Sequence, residues 1–207
     1  MLDALELPSA HVVATSLGGY HALRTASAHP DRVRRVVALG WTVGAPNGEM
    51  PLVMRLSGVR TLGRLMARVP INERAVRSML AQIGLRQALD AGRVPQEAVD
   101  WFQSLLRHTN TMRNEIDATP PSMHLTRGLN DSILIPDEVL ERIRAPVYFL
   151  WGAEDPFGGG DVAVRFAGKV SGAELEILPG GGHAVWLDDP DRVASETRTF
   201  LAAVDDR

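Results

Sequence analysis

The 207-residue chain contains no cysteine, which excludes disulfides, thiolate zinc sites and a cysteine nucleophile together. Lysine is almost absent as well: Lys169 is the one lysine among 22 basic residues, a bias of composition rather than the mark of a site. No uninterrupted apolar run approaches the length needed to cross a bilayer. The first residues, Met1 to Glu6, carry acids where an export leader would carry bases, so a cytoplasmic location is the expectation. Strong charge of either sign is also missing. A formal net charge of -3 gives no reason to expect nucleic acid or an anionic membrane surface as a partner. With 45% hydrophobic and 23% charged residues, the chain has the make-up of a globular domain with one well-buried core.

Short apolar runs alternate with helix-forming stretches. The residues Leu2 to Leu7 predict a helix, His11 to Ala14 a strand, the stretch from Tyr20 to about His29 a helix, and Val33 to Leu39 a second strand. Further strands are expected at Val147 to Trp151 and Leu175 to Leu178, with a helix after each. Residues 47–132 differ in character. Leu52, Leu56 and Val59, then Val76, Met79, Leu80 and Ile83, then Val99, Phe102 and Leu106 recur at three- and four-residue spacing, which predicts several amphipathic helices, with Pro95 suited to the first turn of the third.

One segment carries a chemical signature. In Ala14-Thr15-Ser16-Leu17-Gly18-Gly19 a serine stands between an apolar run and a helix, among small residues. A nucleophile on a tight strand-to-helix turn needs such neighbours, because their backbones must approach closely. Gly18 fits that need, while Ala14 stands one methyl away from the glycine of the pattern G-x-S-x-G. An ordinary Gly-rich turn would look the same taken alone. Two later segments bear on the choice. Asp155 follows the apolar run Val147 to Trp151, and His183 lies in the loop Pro179-Gly180-Gly181-Gly182 to Pro190 after the last strand, so both sit where open α/β sheets place their sites. Asp155 could otherwise be a turn residue before Pro156, but the segment after Leu39 offers no rival carboxylate. Asp188 and Asp189 read as the solvated start of the final helix. His11, His21, His29, His108 and His124 read as surface or packing residues.

With Ser16, Asp155 and His183 in that order, the chain resembles the carboxyl-terminal part of an α/β-hydrolase of the serine-nucleophile branch, from about Leu2 to the end. The resemblance implies a partial α/β-hydrolase fold, a mostly parallel sheet of about four strands flanked by helices. Its core would be residues 1–46 and 133–207, and residues 47–132 an inserted helical cap or lid. It also implies that Ser16 attacks a carbonyl, His183 accepts and returns the proton, Asp155 orients the imidazole, and the backbone N–H of Leu17 serves the oxyanion hole. Neither cofactor nor metal is called for. A small, largely apolar ester or related carbonyl compound is the expected substrate, with Thr15, Trp41, Phe157 and Val185, and Trp101 and Phe102 of the cap, as candidate contacts. Met54, Met66, Met79 and Met112 could share that lining, though such residues at helical spacing mostly serve packing.

The strands that precede the elbow in this family, and the loop with the second oxyanion donor, have no counterpart before Leu2. The expectation is therefore a weakened enzyme, with Met1 an internal or mis-assigned start, or a protein that self-associates through the exposed edge at His11 to Ala14. A serine nucleophile excludes the aspartate-nucleophile dehalogenases and epoxide hydrolases. Esterases, lactonases, carbon-carbon bond hydrolases and perhydrolases stay open, as does a noncatalytic remnant that binds a ligand or partner.

Overall fold

Two strands are buried along nearly their whole length, and this fixes them in mid-sheet. The computed structural model describes residues 1–46, 56, 59, 71–111, 113–114, 123–124 and 128–203. Its main sheet has four strands, β1 (Ala10–Ser16), β2 (Val33–Thr42), β3 (Val147–Gly152) and β4 (Glu174–Leu178), in that spatial order and all parallel. Every residue of β3 and all but Arg34 of β2 are buried, as expected of parallel strands covered on both faces. The partly exposed β1 and β4 form the two edges.

Helices cover both faces because each parallel connection must cross over the sheet. On one face lie α1 (Leu17–Ala28), which buries Ala22, Leu23 and Ala26, and α6 (Gly160–Ala167), which buries Ala163, Phe166 and Ala167. They pack with Val36, Ala38, Phe149 and Trp151. On the other face α8 (Pro190–Ala202) lays Val193 and Phe200 against Val37, Leu39, Tyr148 and Leu150, with the rings of Tyr148 and Phe200 stacked at 5.3 Å. The short helices α5 (Asp137–Leu140) and α7 (Val185–Asp188) add Leu140 to the first face and Val185 to the second.

Within 47–132 the described residues include α2 (Glu73–Leu80), α3 (Arg86–Asp90), α4 (Gln96–His108) and an antiparallel pairing of Met123–His124 with Gly128–Leu129. The apolar stripes of these helices meet in a separate cluster of Val76, Leu80, Leu85, Ala88 and Val99, which also includes Ala184. The insertion is thus packed against the residue next to His183. Helices α2 and α3 are joined by Ala81–Leu85, where the backbone leaves helical geometry at Ile83 and Gly84. Leu52, Met54, Met66 and Met112 lie outside the described residues.

Three local expectations change. Leu2 to Leu7 forms only a single 3-10 turn at Asp3–Leu5, ended by Glu6 in the left-handed region; so short a segment cannot offset the cost of helix nucleation. The second strand runs on to Thr42, because Trp41 and Thr42 are buried beside the end of β1. Pro95 precedes α4 as its cap, in extended geometry, rather than standing in its first turn.

Candidate active site

Ser16 ends β1 and caps α1 with φ 50 and ψ -117. A non-glycine residue there is strained, and such strain persists only where the surroundings enforce it. The enforcement is visible. The Ser16 carbonyl accepts a hydrogen bond from Val43 N–H at 3.2 Å, and the Ser16 Cα pairs with Thr42 after a register shift from Thr15. Behind the turn, a Cβ on Gly19 would stand 2.7 Å from Thr42 Oγ1 and 2.8 Å from its Cγ2. Gly19, rather than Gly18, is the position where space demands glycine: a Cβ on Gly18 would meet only the Ala14 methyl at 3.6 Å. The Leu17 N–H is the first of the α1 donors left without an intrahelical acceptor.

Asp155 follows β3 and its side chain is fully buried. Its Oδ2 accepts from Trp41 N–H and from His183 Nδ1, both at 2.9 Å, and its Oδ1 accepts from Phe157 N–H at 3.0 Å. Two backbone N–H donors make this carboxylate an acceptor, which assigns the proton of the third bond to His183 Nδ1 and leaves Nε2 as the basic nitrogen. The imidazole is packed as well as bonded. Phe157 meets it edge-on at 4.6 Å, and Trp41 lies tilted at 6.4 Å.

Trp41, Asp155 and His183 are thus brought into contact with one another, while Ser16 stands at the carboxyl end of β1 beside Thr42, with no hydrogen bond to His183 among the described residues. Trp41 and Phe157, expected as substrate contacts, are 2% and 4% exposed and bond to Asp155 and pack against His183. Val185 is fully buried between Val37, Leu39 and Leu150, leaving it no surface for a substrate. Thr15 is partly buried beside the elbow. On α4, Trp101 and Phe102 meet edge-to-face at 4.8 Å; Trp101 is exposed, and Phe102 packs against the insertion's own core.

Asp188 departs from the expectation of a solvated helix start: it is 6% exposed, and its Oδ2 accepts from Gly182 N–H at 2.8 Å. Burial pushes its carboxyl above the usual range and the Asp155 charge adds to that rise, against the opposing pull of the Gly182 bond and Arg93. Asp189 alone caps α8, accepting from Arg192 N–H at 3.2 Å. In sequence the two aspartates before Pro190 are indistinguishable. Among the described residues no cluster of ligating side chains could hold a metal, and no helix is long and apolar enough to cross a membrane.

A serine on a strained strand-to-helix turn, with an acid and a histidine after later parallel strands, defines an α/β-hydrolase architecture. Residues 1–196 match the alpha/beta hydrolase family, and the chain belongs to it. Over 202 residues it is 29% identical to a 2-hydroxy-6-oxononadienedioate/2-hydroxy-6-oxononatrienedioate hydrolase of Paraburkholderia xenovorans, covering 98% of this chain and 65% of that protein. The chain thus spans just under two thirds of that relative's length. In fold it is similar to the serine hydrolase CCSP0084 of Cycloclasticus zankles, with a TM-score of 0.73 and 20% identity over 100% of this chain and 68% of the other. It is also similar to naproxen esterase of Bacillus subtilis, with a TM-score of 0.66 and 18% identity over 97% and 62%.

Proposed function

We propose that the chain carries the catalytic residues of a serine hydrolase acting on a small, largely apolar ester or related carbonyl compound. The observation that supports this best is the Asp155–His183 pair, buried and held by two backbone donors at the sheet end where Ser16 is strained. In this reading His183 Nε2 takes the Ser16 hydroxyl proton as Oγ bonds to the carbonyl carbon. The carbonyl electron pair moves onto oxygen, facing Leu17 N–H. Collapse expels the leaving group, which receives the proton from His183, and water attacks the acyl-enzyme by the same route. Asp155 holds the imidazole tautomer and offsets the imidazolium charge. The helical segment 47–132 serves as a lid over the core formed by 1–46 and 133–207, and the reaction belongs to the cytoplasm. The Leu17 N–H is the oxyanion donor this reading assigns. A serine-directed fluorophosphonate should label Ser16 and leave Ser16→Ala unlabelled; a folded wild-type sample that takes no label overturns the reading.

A second reading rests on the free edge of the sheet. Among the described residues β1 pairs with β2 alone, and Leu5, Leu7, Val13 and Leu17 around it are exposed. Such an edge favours pairing with another chain. Self-association through β1 follows, either supporting the hydrolase or, if Ser16 takes no label and short acyl esters are not cleaved, in a noncatalytic binding protein of the same fold.

A further inference from the structure

The loop that carries His183 contains Gly180, Gly181 and Gly182 in a row, a backbone with little conformational preference of its own. Holding one imidazole orientation beside such a run requires bonds from outside the glycines. Two of them hold the amides on either side of the Gly182 Cα. Asp188 Oδ2 accepts from Gly182 N–H at 2.8 Å, and the Ile83 carbonyl of the insertion accepts from His183 N–H at 2.9 Å.

The Ile83 carbonyl is presented by the break between α2 and α3. Ile83 has φ -89 and ψ 21, and Gly84 has φ 93 and ψ 0. A Cβ on Gly84 would stand 2.7 Å from Gly182 Cα, 3.2 Å from the Glu154 carbonyl oxygen and 3.2 Å from Pro156 Cδ. The kink therefore wedges between the loop of the acid and the loop of the base. Those loops are themselves tied by Glu154 N–H donating to the Gly181 carbonyl at 2.9 Å.

We infer that Asp188 and the Ile83–Gly84 kink are positioning residues for His183, so that the seating of the helical insertion is part of the geometry of the base. This rests on the reading of His183 as the base. Neither group touches the reacting atoms; each acts through the backbone that aims the imidazole at Asp155.

Two measurements on the full chain test it: the downfield Nδ1–H proton signal of His183 by NMR, and kcat and KM for p-nitrophenyl acetate per folded molecule. Asp188→Ala and Gly84→Ala are each expected to broaden or abolish the Nδ1–H signal. Each should also lower kcat about 10- to 100-fold with KM within about threefold, the usual cost of a small misplacement of a catalytic group. Asp188→Asn keeps an oxygen that accepts from Gly182 N–H, and is expected to restore most of both. An unchanged signal in both Asp188→Ala and Gly84→Ala overturns the inference whether or not the wild type turns over. An inactive wild type with an intact signal that these variants abolish overturns the proposed hydrolase and supports the positioning. If one variant fails to fold, the other and Asp188→Asn carry the comparison.

Discussion

Trp41 donates its backbone N–H to the same oxygen of Asp155, Oδ2, that receives His183 Nδ1, both at 2.9 Å. The end of β2 thus fixes the acid that fixes the histidine. Replacing Asp155 by Asn puts an amide where three N–H groups converge. It would favour the wrong imidazole tautomer, and a fall in kcat of about 10⁴-fold is expected. Asp155→Ala leaves buried donors unpaired and should also destabilise the fold, by about 1–3 kcal/mol per donor. Ester hydrolysis and urea denaturation check the two effects separately.

The elbow depends on close packing between Gly19 and Thr42. Thr42 is fully buried, so its side chain has little room to yield to a methyl at Gly19. Gly19→Ala should therefore cost about 1–3 kcal/mol. Removing the obstacle in Gly19→Ala/Thr42→Ala should return part of that loss, giving a coupling of at least about 0.5 kcal/mol in a double-mutant cycle. Additive denaturation midpoints would show that the contact is not what requires glycine there.

Burial raises the Asp188 pKa above its usual 3.8, so the folded chain binds this proton more tightly than the unfolded chain does. Stability from this group is complete below pH 3.8 and is lost as pH rises through the elevated folded value. Asp188→Asn has no proton to lose. The difference in Tm between Asp188→Asn and wild type should therefore shift in favour of the variant as pH rises from 3.8 and then level off. A difference that stays constant over that range contradicts the assignment.

Val13 is half exposed on the edge strand β1. A charge at such a position opposes strand addition, so Val13→Lys should reduce self-association in sedimentation velocity and leave the fluorophosphonate reaction of Ser16 unchanged. Equal association of the two proteins would place the contact elsewhere.

The strands and the positions of Ser16, Asp155 and His183 were legible because their signals are local. An apolar run, a small-residue turn and a polar residue at the strand end are contiguous in sequence. Asp188 was not legible, since two adjacent aspartates before a proline look alike until the chain turns one inward onto Gly182 and leaves the other to cap α8. Trp41 and Phe157 stand out in sequence by type alone. Aromatic side chains announce burial or binding equally, and that both are buried against Asp155 and His183 is visible only in the folded chain.

By itself the sequence determined the parallel α/β order, the helices within residues 71–108 and the three candidate residues with their strand ends, because each follows from local periodicity and turn chemistry. The tertiary structure decided which partners hold those residues: the Trp41 amide on Asp155, the Ile83 carbonyl on His183, and the Gly84 kink between two loops. These are contacts between segments up to 114 residues apart. Their existence depends on how the strands and the insertion pack, which no local pattern encodes.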